Sequence, residues 1–253
     1  MAGPNVMLKG GRAYYGQAIG ILLFDGRRYP MAPGDVGNAS TYAYPVRLKV
    51  VPDLIHTPAP PESWIDGKPP REVELLVAGA HELEAEGLRA IVACCGFFSV
   101  AQDAMARAVR VPVFGSSLLL VPILHRMLGG RTIGIVTASK RLLVDGYLRA
   151  AGIGPEHQVA IAGLDDASEW NATHMGGTRI ELDVAKLREE TVAAATGLAR
   201  AHPGRGAILL ECTSFPTFAA DVQAATGLPV FDYVRFIDFV YHSVVQRPYD
   251  GFV

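Results

Sequence analysis

The feature that most constrains this chain is a repeat of itself. Shifted by 117 positions, residues 90–114 (AIVACCGFFSVAQDAMARAVRVPVF) lie over residues 207–231 (AILLECTSFPTFAADVQAATGLPVF) without a gap. Eight of the 25 columns are identical: Ala90/Ala207, Ile91/Ile208, Cys95/Cys212, Phe98/Phe215, Ala108/Ala225, Pro112/Pro229, Val113/Val230 and Phe114/Phe231. Ordinary composition yields roughly two. A weaker echo sets Ile19-Gly20-Ile21 over Ile133-Gly134-Ile135 at an offset of 114. Each long copy reads as strand, cysteine, short turn, helix, strand. All strand–helix–strand units share some pattern, yet a matched cysteine with a matched Pro-Val-Phe points to two similar halves related by a pseudo-twofold axis.

The rest of the chain fits that frame. Nearly continuous apolar runs at 19–24, 46–51, 88–93, 111–114, 132–137, 158–162, 207–210 and 228–231 read as strands buried on both faces. Between them, 71–86 carries Val73, Leu76, Val77 and Ala80 at helical spacing, and 183–201 carries Val184, Leu187, Ala194, Ala195 and Leu198. This alternation predicts an α/β fold of two pseudo-symmetric, doubly wound parallel-sheet lobes with a cleft between them. The proline-rich stretch 57–70 is expected to be an ordered surface excursion.

Composition excludes several classes. The 253 residues hold 23 Lys+Arg against 25 Asp+Glu, and no basic block is present, so nucleic acid is not an expected partner. The longest uncharged stretches, 90–102 and 111–124, fall short of the ~20 apolar residues a spanning helix needs, so no membrane is expected either. Residues 1–15 show no apolar signal region, and three cysteines cannot close a disulfide framework; both suit a reducing cytoplasm. Nucleotide-binding glycine fingerprints are absent, none of the five lysines sits in a setting that suggests a pyridoxal site, and no His or carboxylate stands at zinc-ligand spacing beside a cysteine.

The repeat gives the cysteines a meaning. Cys95 and Cys212 occupy matched positions, each at the C-terminal end of a strand and before a helix. Ligands of open parallel sheets bind outside those strand ends. Helix N-termini there would lower a thiol's pKa and hold a carboxylate. Two sulfurs facing one cleft can remove a proton from one face of a carbon and return one to the other. Cys94 lies over Glu211, not over a cysteine, and is read as a small buried hydrophobe. Asp25, ending the first strand, is either a substrate or thiol partner or a turn former before Gly26. Ser116, Ser117, Thr137 and Ser139 follow strands and either cap helices or donate to an anion. Asp35 and Asn38 are read as turn residues, with reach into the cleft as the alternative; the histidines are read mostly as surface or capping residues, with a place on a lid loop as the alternative for His174.

These motifs resemble the aspartate/glutamate/hydantoin racemase superfamily. The resemblance runs from Gln17 to about Tyr241 and is carried by Phe24-Asp25-Gly26, Cys95-Gly96-Phe97, Pro112-Val113-Phe114-Gly115-Ser116-Ser117, Gly134-Ile135-Val136-Thr137 and Glu211-Cys212-Thr213. The loop Pro33-Gly34-Asp35-Val36-Gly37-Asn38-Ala39 is similar to one in a mostly uncharacterised branch. The resemblance implies cofactor-independent chemistry, an interlobe site and a homodimer. It also implies a C-terminal segment that returns to the first lobe, giving lobe one as 1–118 plus 226–253 and lobe two as 119–225. Glutamate and aspartate racemases carry Asn-Thr after the first cysteine, where this chain has Gly96-Phe97. They often carry His or Glu after the second Cys-Thr, where it has Ser214.

The expectation is a two-base racemase or epimerase of a small carboxylate-bearing substrate, an α-amino acid or derivative. Cys95 and Cys212 are its acid/base pair, and Asp25, Gly96, Phe97, Ser116, Thr137, Thr213 and Ser214 hold the substrate. The alternatives are a related arylmalonate-type decarboxylase or maleate cis–trans isomerase on the same fold, and a non-catalytic two-lobed binder of small ligands.

Overall fold

Eight parallel strands lie where the apolar runs predict them. A computed structural model describes residues 7, 10–26, 29–177 and 179–252. Strands β1 (Ile19–Leu23), β2 (Val46–Val50), β3 (Ala90–Ala93) and β4 (Val113–Phe114) form one sheet in the order β2-β1-β3-β4. Strands β5 (Ile133–Thr137), β6 (Val159–Gly163), β7 (Ala207–Leu210) and β8 (Val230–Asp232) repeat that order as β6-β5-β7-β8. The helices are α1 (Arg71–Glu86), α2 (Gln102–Ala108), α3 (Val121–Met127), α4 (Asp145–Ala150), α5 (Ser168–Trp170), α6 (Val184–Ala201), α7 (Ala219–Thr226) and α8 (Tyr233–Val244).

The sequence repeat is a repeat of register. Ile91 stands opposite Val113 in the first sheet, and Ile208 opposite Val230 in the second, both pairs separated by the same 117 positions. The Ile-Gly-Ile echo has a packing cause. A Cβ on Gly20 would stand 2.8 Å from Leu83 of α1, and one on Gly134 3.0 Å from Leu198 of α6. Glycine at mid-strand lets the covering helix approach each sheet. Helix α1 buries Val73, Leu76, Ala80 and Leu83 at three- and four-residue spacing, and ends at Gly87 in the left-handed region (φ 88°). Helix α6 starts at Asp183, whose carboxylate accepts from the Lys186 N–H.

The lobes exchange helices. Helix α3 follows the last strand of the first sheet but packs against the second lobe, with Val121 and Leu124 beside Ile133 and Ile135. Helix α8 follows the last strand of the second sheet but covers the first, where Tyr233, Val234, Ile237 and Val240 meet Ile19, Ile21, Val92 and Phe114. The return to lobe one therefore begins at Tyr233 and not at 226. Residues 230–232 pair with β7 and complete the second sheet before the chain crosses.

Two segments of the first lobe strap the second. The Val36 N–H donates to the Thr213 carbonyl at 3.1 Å. Within the proline-rich excursion, the Pro58 carbonyl accepts from the Tyr147 hydroxyl (2.9 Å) and Glu62 accepts from the Gly146 N–H (3.1 Å). Among the described residues no helix is long and apolar enough to cross a membrane.

Candidate active site

Strand β3 leads through Cys94 and Cys95, and β7 through residues 211–214, into a 3-10 segment, Gly96–Ala101 or Phe215–Phe218. The two turns share a geometry: Phe98 N–H donates to the Cys95 carbonyl (3.0 Å), and Phe215 N–H to the Cys212 carbonyl (3.2 Å). They meet where the Thr213 hydroxyl donates to the Cys94 carbonyl at 3.3 Å. A cavity of about 280 Å³ opens at this meeting point. Phe24, Tyr29, Ile55, His56, Thr57, Cys94, Cys95 and Phe97 line it from the first lobe, and Ala138, Leu142, Trp170, His174, Met175, Cys212 and Thr213 from the second. A larger hollow of about 350 Å³ beside Arg12, Tyr14 and Arg89 contains no cysteine, and it lies at the N-terminal ends of β1 and β3, away from where such sheets bind ligands.

The electrostatics of the cysteine at 95 run against expectation. Its thiol is pushed well above the ordinary value, first by burial and then by the charge of Glu211, with Cys94 and Cys212 adding to it. The Phe97 N–H favours the thiolate but does not offset these. Glu211 itself is fully buried. Its carboxylate accepts from the Thr137 hydroxyl (2.7 Å) and the Ala138 N–H, and burial lifts its pKa to about 7. Its Oε1 stands 1.5 Å from where a Cβ on Gly96 would be, so glycine there makes room for the carboxylate beside the Cys95 turn.

A wall of rings closes the other side. His174 stacks on Trp170 with centroids 4.2 Å apart, and Tyr29 from the first lobe lies 4.0 Å from His174. Trp170 in turn rests on Phe215 at 5.1 Å. The wall is carried by a π-helical turn, Asn171–Met175, in which the Thr173 hydroxyl donates to the Glu169 carbonyl and contacts His174 Nδ1 at 2.7 Å. Among the described residues no group of His, Cys, Asp or Glu could hold a metal ion.

Of the nine residues expected as the acid/base pair or as substrate holders, Cys95, Phe97, Cys212 and Thr213 line the cavity. The others do not. Asp25 holds a turn by accepting from the Asp53 N–H at 3.1 Å. Ser116 is sealed and caps Leu118 (3.1 Å), Thr137 is spent on Glu211, and Gly96 packs against that carboxylate. Ser214 donates to the buried Asp35 at 2.6 Å, so Asp35 is more than a turn former. Cys94 lines the cavity, contrary to its reading as core. Tyr29, His56, Thr57 and Trp170 were not legible as site residues, because loops bring in the first three and the short helix α5 the fourth. Glu211 had one signal: it is the residue the repeat aligns with Cys94.

The Asp/Glu/hydantoin racemase family model matches residues 44–237. A dimethylsulfoniopropionate lyase of Durusdinium sp. clade D is 32% identical over 241 residues, covering 92% of this chain and 77% of the relative. Dimethylsulfoniopropionate lyase 3 of Emiliania huxleyi is 32% identical over 246 residues, covering 92% of this chain and 61% of the relative. Among solved structures, unliganded arylmalonate decarboxylase shares the fold with a TM-score of 0.56 at 18% identity, over 91% of this chain and 94% of that one. These findings overturn the racemase or epimerase expectation. The curated relatives are lyases, and a lyase on this fold, the direction of the stated alternative, is better supported.

Proposed function

The chain belongs to the Asp/Glu/hydantoin racemase family, and we propose that within it the protein is a lyase that cleaves dimethylsulfoniopropionate or a close sulfonium carboxylate. The observation that carries the reading is the cavity lining. It brings Cys95 and Cys212 to one small hollow whose described lining has no Asp, Glu, Lys or Arg. An α-amino acid would bury an ammonium there, and the side-chain acceptors in the lining are hydroxyl and imidazole groups (Tyr29, His56, Thr57, His174, Thr213), with no carboxylate among the described residues to pair its charge. A sulfonium has no N–H. Its methyl groups need only apolar surface, which Phe24, Ile55, Phe97, Leu142 and Met175 offer.

The reaction is an elimination. A cysteine thiolate takes a proton from the carbon beside the carboxylate, and a double bond forms to the next carbon. The carbon–sulfur bond breaks with its electron pair going to sulfur. Dimethyl sulfide and acrylate leave, and the new thiol returns its proton to solvent. One base suffices, whereas racemisation needs a second group to reprotonate the opposite face.

Headspace gas chromatography tests the proposal. Purified protein given dimethylsulfoniopropionate should release dimethyl sulfide with an equal amount of acrylate. Cys212→Ser should lower the rate by about 100-fold or more, the scale of a lost general base. No dimethyl sulfide from the intact protein, or undiminished release from both Cys95→Ser and Cys212→Ser, overturns it.

A further inference from the structure

We propose that Glu211 is a positioning residue that keeps Cys95 in its thiol form and so leaves proton abstraction to Cys212. The division of labour rests on the lyase reading; the protonation of Cys95 does not. The repeat makes the two cysteines equivalent in backbone, and the difference between them lies in what stands next to each. Before Cys212 the chain carries a carboxylate, Glu211, and at the matching position before Cys95 it carries Cys94. Glu211 does not face its own neighbour's side of the repeat alone. Its Oε1 occupies the space that a side chain at position 96 would fill, against the backbone that follows Cys95.

The carboxylate is locked there. The Thr137 hydroxyl and Ala138 N–H hold its oxygens, its N–H donates to the Val136 carbonyl (2.8 Å), and its carbonyl accepts from Ser117 (3.2 Å). Among the described residues no Lys or Arg forms a salt bridge with it. An unpaired negative charge beside a sulfur disfavours a second negative charge on that sulfur, strongly so away from water.

The remaining groups facing Cys95 offer no counterweight. Cys94 and Cys212 are themselves sources of negative charge when ionised. The Tyr147 hydroxyl of α4 donates to the Pro58 carbonyl, and that of Tyr233 in α8 donates to the Ala93 carbonyl at 2.5 Å, so both protons point elsewhere. The Phe97 N–H donates to the sulfur, and it is outweighed.

The chain has three cysteines, so Cys94→Ala with Cys212→Ser leaves Cys95 as the sole reactive thiol. Iodoacetamide alkylation of this protein, followed by intact mass across pH 6–10, reads its ionisation without any substrate. That readout separates failure of this proposal from failure of the lyase reading. Adding Glu211→Gln should speed alkylation about tenfold at pH 8 while leaving the high-pH plateau unchanged. Adding Thr137→Val instead keeps the carboxylate but removes a donor, so it holds its proton to higher pH. Alkylation should then quicken near pH 7 and match the reference above pH 9. An unchanged pH profile in Glu211→Gln, or a parallel rise at every pH in both variants as loosened packing would give, overturns the proposal.

Discussion

Asp35 and Ser214, 179 positions apart, share a hydrogen bond of 2.6 Å that ties a first-lobe loop to the turn carrying Cys212. The Asp35 carboxylate also accepts from the Gly37 N–H at 2.7 Å, yet burial outweighs both contacts and lifts its pKa from 3.8 to about 6. The native state therefore holds a proton that the unfolded chain releases. The stability this contributes is complete below about pH 3.8 and is lost as pH rises through about 6. Asp35→Asn should remove that dependence, gaining on the parent by about 2 kcal/mol between pH 4.5 and pH 7.5. Urea midpoints at the two pH values check it, and an equal effect at both contradicts it.

Gly34 sits in the same strap at φ 103°, and a Cβ there would stand 2.4 Å from the Thr217 Cα. Neither the backbone angle nor the contact can relax cheaply, because the colliding atom is main chain. Gly34→Ala should cost about 2–3 kcal/mol, measured by urea unfolding. A loss below 0.5 kcal/mol would mean the loop is not held against the second lobe.

Gly96 and Glu211 should behave as one unit. Gly96→Ala drives a methyl group into the Glu211 carboxylate and should destabilise by about 1–3 kcal/mol. In a Glu211→Ala background the space is open, and the same substitution should be nearly neutral. A double-mutant cycle should therefore show a coupling of at least about 1 kcal/mol. Additive effects would place the carboxylate elsewhere.

Tyr29 reaches across the cavity to His174 and is only partly buried. Tyr29→Leu removes a ring that lines the cavity but little of the core. The expected result is a KM for dimethylsulfoniopropionate raised by about tenfold, with kcat changed less than threefold and a melting temperature within 2 °C of the parent, taking a surface side chain as worth about 0.5 kcal/mol. A fall in kcat alone would assign Tyr29 to the chemical step.

What could be read from residue order was what repeats or alternates. The matched columns around Cys95 and Cys212 foretold the common register, the shared turn and the meeting of both sulfurs at one hollow, because strand ends inherit their position from the sheet. The ring wall was invisible, since Tyr29 comes from a first-lobe loop and Trp170 from the short helix α5 of the second, and they meet only when the lobes come together. Ser116, Thr137 and Ser214 stand at the right strand ends but are consumed by Leu118, Glu211 and Asp35. The expected lowering of the Cys95 thiol failed for a physical reason: one N–H cannot compensate for burial beside a carboxylate. The lobe boundary erred at 226 because β8 still belongs to the second sheet.

The exchange of α3 and α8 between lobes has a consequence for how the molecule can exist at all. A truncation near residue 118 would strip Tyr233, Ile237 and Val240 from the face of the first sheet and leave Ile19, Ile21, Val92 and Phe114 bare to solvent. Such a fragment is an aggregation hazard and not half an enzyme. Neither moiety owns all the residues of its own interior, so the two should melt together in a single cooperative transition, and damage to one should be registered by the other.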